Sequence, residues 1–155
     1  MKLFKNQKGF TLIELLVVIG ILAVLLAITL IAINPARQFA QANNTKRRSD
    51  VNAILNAVNQ YMADNKGIVP AGITTTALTL KKPVGTDGVD ICAAIVPTYI
   101  AALPSDPQVS SGVAVLDCTV TTYDTGYTII RSAASNRITI TATTVELSDP
   151  VSVTR

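Results

Sequence analysis

This 155-residue chain contains no histidine and only two cysteines. Without an imidazole, no side chain has an ordinary pKa suited to proton transfer near neutral pH. The same absence leaves Cys92 and Cys118 without the further nitrogen or sulfur ligands that a structural zinc site takes, so no metal is expected. No G-x-S-x-G elbow, P-loop or dinucleotide fingerprint occurs. No cofactor is therefore implied, and the chain does not read as an enzyme. Charge is missing too: from Leu15 to Ile33 no Asp, Glu, Lys or Arg interrupts the sequence.

That uncharged stretch of roughly 19 residues, at about 1.5 Å per residue in a helix, comes close to a ~30 Å hydrocarbon core. Only a helix satisfies such a backbone in lipid. Glu14 stands at its edge, and a carboxylate is costly in lipid, so Glu14 must lie shallow, meet a cation, or both. A secretory signal would have a shorter apolar core followed by a small-x-small cleavage site. Here the run leads into Asn34-Pro35-Ala36-Arg37 instead. A plain signal anchor is the other reading. Lys2, Lys5 and Lys8 favour a cytoplasmic N-terminus, although Arg37 and Lys46-Arg47-Arg48 weaken that asymmetry.

The segment Lys8-Gly9-Phe10-Thr11-Leu12-Ile13-Glu14 resembles the signal of type IV pilins and type II secretion pseudopilins. The resemblance implies that a prepilin peptidase cuts between Gly9 and Phe10 and that Phe10 is N-methylated. It further implies storage in the cytoplasmic membrane, single-pass with the N-terminus cytoplasmic. An inner-membrane platform and ATPase would then assemble the chain into an extracellular filament of identical or related subunits. Glu14 has three readings. It stabilises the helix start through the dipole and free amides, it pairs with the new Phe10 ammonium of its own chain at i, i+4, or it pairs with the Phe10 ammonium of a neighbouring subunit. A pseudopilin of a secretion system is the alternative within this architecture. A single-pass membrane-anchored binding module is the alternative outside it.

The formal charge of +3 is carried by the leader: removing Lys2, Lys5 and Lys8 turns 13 basic against 10 acidic residues into 10 against 10. No nucleic-acid partner is expected from a neutral chain whose one basic cluster, Lys46-Arg47-Arg48, has no interleaved aromatics. That cluster reads as a solvated helix face or as an inter-subunit salt bridge. Asp87/Asp90 and Asp117/Asp124 have the chemistry of calcium ligands. However, Leu103-Pro104-Ser105-Asp106-Pro107 lacks the aromatic-Gly continuation of calcium-carrying major pseudopilins, so these read as solvated loop acids.

The predicted fold is α+β and pilin-like: a long N-terminal helix, with a membrane half and an amphipathic half, packed on a small antiparallel β-sheet. The expected segments are a leader at 1–9, the membrane and assembly half at 10–35, the amphipathic half at 36–66 and a β domain at 67–155. Val51, Ile54, Leu55, Val58, Tyr61 and Met62 recur at helical three-and-four spacing. Phe39, Ala40 and Ala42 extend that stripe backward more weakly. Pro35 marks a kink, and Lys66-Gly67 a stop. Residues 67–90 read as irregular, and Ala93 to Leu103 as a short helix or packed loop. Strands are expected at Thr119–Tyr123 (ended by Asp124-Thr125-Gly126), Tyr127–Arg131 and Arg137–Thr141, and more weakly at Val113–Leu116 and Val145–Leu147. A turn joins Ser132 to Asn136. In an exported domain, Cys92 and Cys118 form a disulfide.

Overall fold

The computed structural model describes residues 9–83 and 87–155. The chain divides into a unit ending at Gln38 and a unit from Phe39 to Arg155. The leader lysines Lys2, Lys5 and Lys8, and Gly85 of the expected irregular connection, lie outside the described residues.

In the first unit, α1 (Leu12–Ile33) buries none of its residues. It is long and apolar enough to cross a membrane by length and composition. The helix ends at Asn34, which adopts a left-handed backbone (φ 47°). Asparagine tolerates that region better than most residues. Its Oδ1 then accepts from the Arg37 amide at 3.3 Å, starting the next helix with Pro35 as first residue. Proline suits that position because its missing N–H is one that no helical carbonyl would take.

α2 (Pro35–Asp64), which belongs to the second unit from Phe39 on, supplies the cover for that unit's sheet. Val51, Ile54, Leu55 and Val58 are fully buried, with Tyr61 and Met62 packed at the margin. Each such aliphatic side chain contributes about 1.5–3 kcal/mol on burial. The helix stops where Gly67, at φ 84°, donates its amide to Met62 O at 2.7 Å.

The sheet is a four-stranded antiparallel meander in the order β1 (Leu78–Lys81), β2 (Asp124–Arg131), β3 (Ile138–Ala142), β4 (Ser152–Thr154). Leu80, Tyr127, Ile129, Ile138 and Ile140 face α2 and share one core with its stripe. A one-turn helix, α3 (Cys92–Ile95), buries Cys92 and Ile95 in the same core. Cys92 is bonded to Cys118, with Cα atoms 5.5 Å apart and a sequence separation of 26. The Cys92→Ser/Cys118→Ser chain should lose about 3 kcal/mol by the loop-closure argument. Denaturant unfolding without reductant checks this, and an unchanged midpoint contradicts it.

Several expected strands are corrected. Thr119–Tyr123 is not a strand, because Asp117 Oδ1 accepts from both the amide (2.8 Å) and hydroxyl (2.7 Å) of Thr119. A local side-chain acceptor of that kind competes with sheet pairing. Asp124-Thr125-Gly126 does not end a strand but opens β2. The pairing passes from Thr79↔Thr128 to Lys81↔Asp124, so β2 carries extra residues in a bulge. Gly126 occupies it at φ 74°, where an added Cβ would lie 2.7 Å from Val109 Cγ2. A glycine that reads as a turn is here a bulge.

Val113–Leu116 reduces to a single bridge, Leu103↔Val115, and Val145–Leu147 makes no strand. The connection over 67–90, expected to be irregular, contains β1, whose free edge Val89 covers through Val89 N to Thr79 O at 2.8 Å. β4, near the end of the chain, was not expected either; it rests on pairing with β3.

Candidate functional site

The N-terminal motif assembles around the first turn of α1. Thr11 is the N-cap, with extended backbone (φ −80°, ψ 152°). Its Oγ1 accepts from the Glu14 amide at 3.3 Å. Glu14 Oε2 in return accepts from the Thr11 amide at 2.8 Å and the Thr11 hydroxyl at 2.6 Å. This reciprocal capping box satisfies two of the amides that a helix start leaves without partners. Thr11 was not among the site residues read from the sequence, although the spacing T-x-x-E carries the signal. Glu14 Oε1 accepts no hydrogen bond among the described residues.

Gly9 precedes the cap, and Phe10 is 84% exposed. Among the described residues, a Cβ built on Gly9 would meet nothing within 4 Å.

The second unit holds a buried ionic cluster, and it corrects the reading of Lys46-Arg47-Arg48 as a solvated face. Arg47 is fully buried. Its Nε and NH2 donate to the two carboxylate oxygens of Asp106 at 2.7 and 3.1 Å, a bidentate pair. NH1 donates to Asn44 Oδ1 at 2.9 Å and Glu146 Oε2 at 3.2 Å, and NH2 also to Gln108 Oε1 at 3.1 Å. Asp106 further accepts from the Thr144 hydroxyl at 2.7 Å and the Gln108 amide at 2.9 Å. Burial alone pushes the Asp106 carboxyl up, but Arg47, Thr144 and the Gln108 amide together hold it below the usual range.

Lys46 lies beside this cluster, reaching Asp50 at 3.0 Å and Ser105 O at 2.7 Å, and Arg48 pairs with Asp149. Tyr127 donates its hydroxyl to Asp50 at 2.8 Å. Phe39, expected to continue the apolar stripe, is 70% exposed.

The loop acids are engaged one by one. Asp87 pairs with Lys81 at 2.6 Å. Asp90, expected to be solvated, is partly buried: it pairs with Lys82 at 2.9 Å and accepts from the Tyr123 hydroxyl at 2.6 Å. Asp117 and Asp124 accept from backbone amides two residues on, at 2.8 Å each. Among the described residues, no three Asp, Glu, Cys or His side chains gather as a metal site.

Comparison with known proteins gives two matches and one blank. Residues 4–30 match the family described as the prokaryotic N-terminal methylation motif. The chain is also 36% identical over 77 residues to the type IV wide pilus major component PilA4 of Thermus thermophilus, a match covering 50% of this chain and 57% of the relative. The chain thus spans little more than half the length of that curated relative. No solved structure matches it. The methylation motif, the unburied apolar helix behind it and a helix-covered antiparallel sheet thus stand in one polypeptide of pilin-like α+β architecture, similar in sequence to a type IV pilus component.

Proposed function

We propose that this chain is the structural subunit of a type IV pilus-like filament, cut after Gly9 by a prepilin peptidase and N-methylated on Phe10. The observation that carries the reading is α1, a 22-residue apolar helix with no residue buried. Such a surface needs lipid before assembly and other apolar helices after it. Moving from one to the other exchanges similar surroundings and gains little hydrophobic free energy. Polar groups at the helix start are then suited to setting register.

The uncut chain enters the cytoplasmic membrane with its leader lysines on the cytoplasmic side. Cleavage frees an ammonium on Phe10. The capping box engages Glu14 through Oε2, which leaves Oε1 for the Phe10 ammonium of a neighbouring subunit. An inner-membrane platform and ATPase supply the work of extraction.

A Cβ built on Gly9 would meet nothing within 4 Å among the described residues, and the need for glycine comes from the peptidase, whose site must admit the peptide bond beside a minimal side chain. Gly9→Leu is expected to leave the chain at full length in cells with an active peptidase, while its second unit folds normally. Intact mass reads this directly, and a mature-length Gly9→Leu product contradicts the assigned cut.

A further inference from the structure

Most charges of the second unit are paired within it, and those left over are sorted by position. Arg131 and Arg137 make no ion pair among the described residues, and Arg131 Nε is buried without a hydrogen-bond partner. They flank the exposed β2–β3 turn, whose tip is Ala133-Ala134. Asp117 and Asp124 also lack ion partners among the described residues. They border a shallow groove lined by Val113, Leu116 and Val120. Val113 and Leu116 are 64% and 72% exposed. Asp64, Lys66 and Arg155 likewise make no ion pair among the described residues, and Arg155 donates instead to Asn56 Oδ1 at 2.7 Å.

The two features lie at opposite ends of one strand. β2 starts at Asp124 and ends at Arg131, the last of its eight residues, about 23 Å away at the usual rise.

We infer that the Arg131/Arg137-flanked β2–β3 turn of one copy of this chain docks into the Asp117/Asp124-bordered apolar groove of the next. Two small methyl-bearing residues fit a shallow apolar groove, and the arginines and aspartates on either side fix its orientation. Exposed ion pairs are individually weak, so the apolar contact supplies area while the charges exclude wrong registers. Because knob and groove are different patches, the contact is heterologous and propagates instead of closing on a two-fold dimer. The open chain rests on the filament reading above; the pairwise contact does not.

A charge swap in the full-length chain tests it. Arg137→Asp alone is expected to lower the yield of sheared filament about tenfold, and Arg137→Asp/Asp117→Arg to restore it. Wild-type yield from the single variant, or no recovery in the pair, overturns the contact. Because Asp117 also holds the Thr119 turn, a second measurement uses two exposed positions. The full chain carrying Val113→Cys and Ala133→Cys, oxidised in filaments, should give a ladder of disulfide-linked multimers. Linked dimers alone, or no linkage in filaments of normal yield, overturn it. If the wild-type chain makes no filament, the filament reading has failed. The same variant at high concentration in detergent then still reads the contact, by a ladder or its absence.

Discussion

Glu14→Ala is expected, on the filament reading proposed above, to insert into the membrane and to be processed, yet to lower filament yield at least about tenfold, since it would leave the Phe10 ammonium unpaired among apolar helices. The capping box makes a comparison variant informative. Glutamine at this position still reaches back to the Thr11 amide, so Glu14→Gln keeps the start of α1 while losing the charge. If pairing with a neighbour's ammonium is the role, Glu14→Gln assembles as poorly as Glu14→Ala. Assembly restored by Glu14→Gln assigns Glu14 to helix capping alone. Neither substitution should move the unfolding midpoint of the second unit, where Glu14 has no part.

The second large effect concerns stability. Arg47→Met leaves Asp106 buried, with its principal cation gone and no exposure to water. Breaking a buried pair from one side costs roughly 3–5 kcal/mol. Replacing both partners, Arg47→Met with Asp106→Leu, should recover much of that, because the apolar pair has no stranded charge. Equal destabilisation by the single and double variants contradicts this assignment.

The pair also sets an acid response. Asp106 is held below its ordinary value when folded. Its contribution is therefore complete above the unfolded carboxylate value near pH ~4 and is lost as pH falls through the depressed one. Arg47→Met should flatten that part of the acid unfolding profile.

Much of this was legible beforehand, for reasons that differ residue by residue. The stripe Val51, Ile54, Leu55, Val58 is buried because helical spacing and apolarity agree. Ile138 and Ile140 face the core because strict alternation with threonine leaves one register. Arg47 was missed although the spacing pointed to it: stepping back from Val51 by four and then three lands on Arg47 and Asn44, both buried. The run Lys46-Arg47-Arg48 looked solvated because its partners Asp106 and Glu146 lie 59 and 99 residues away. β1 and β4 escaped notice for a similar reason. Each is short, and its pairing comes from β2 or β3 instead of local pattern. The capping box needed only local reading, since Thr11 and Glu14 are three residues apart.

The intact mass and N-terminal sequence of the chain, isolated from native membranes or sheared surface material, bear most directly on the filament-subunit reading. A chain beginning at N-methylated Phe10 is the expected result. A chain still beginning at Met1, in cells with an active prepilin peptidase, contradicts it and favours a membrane-anchored module that keeps its leader.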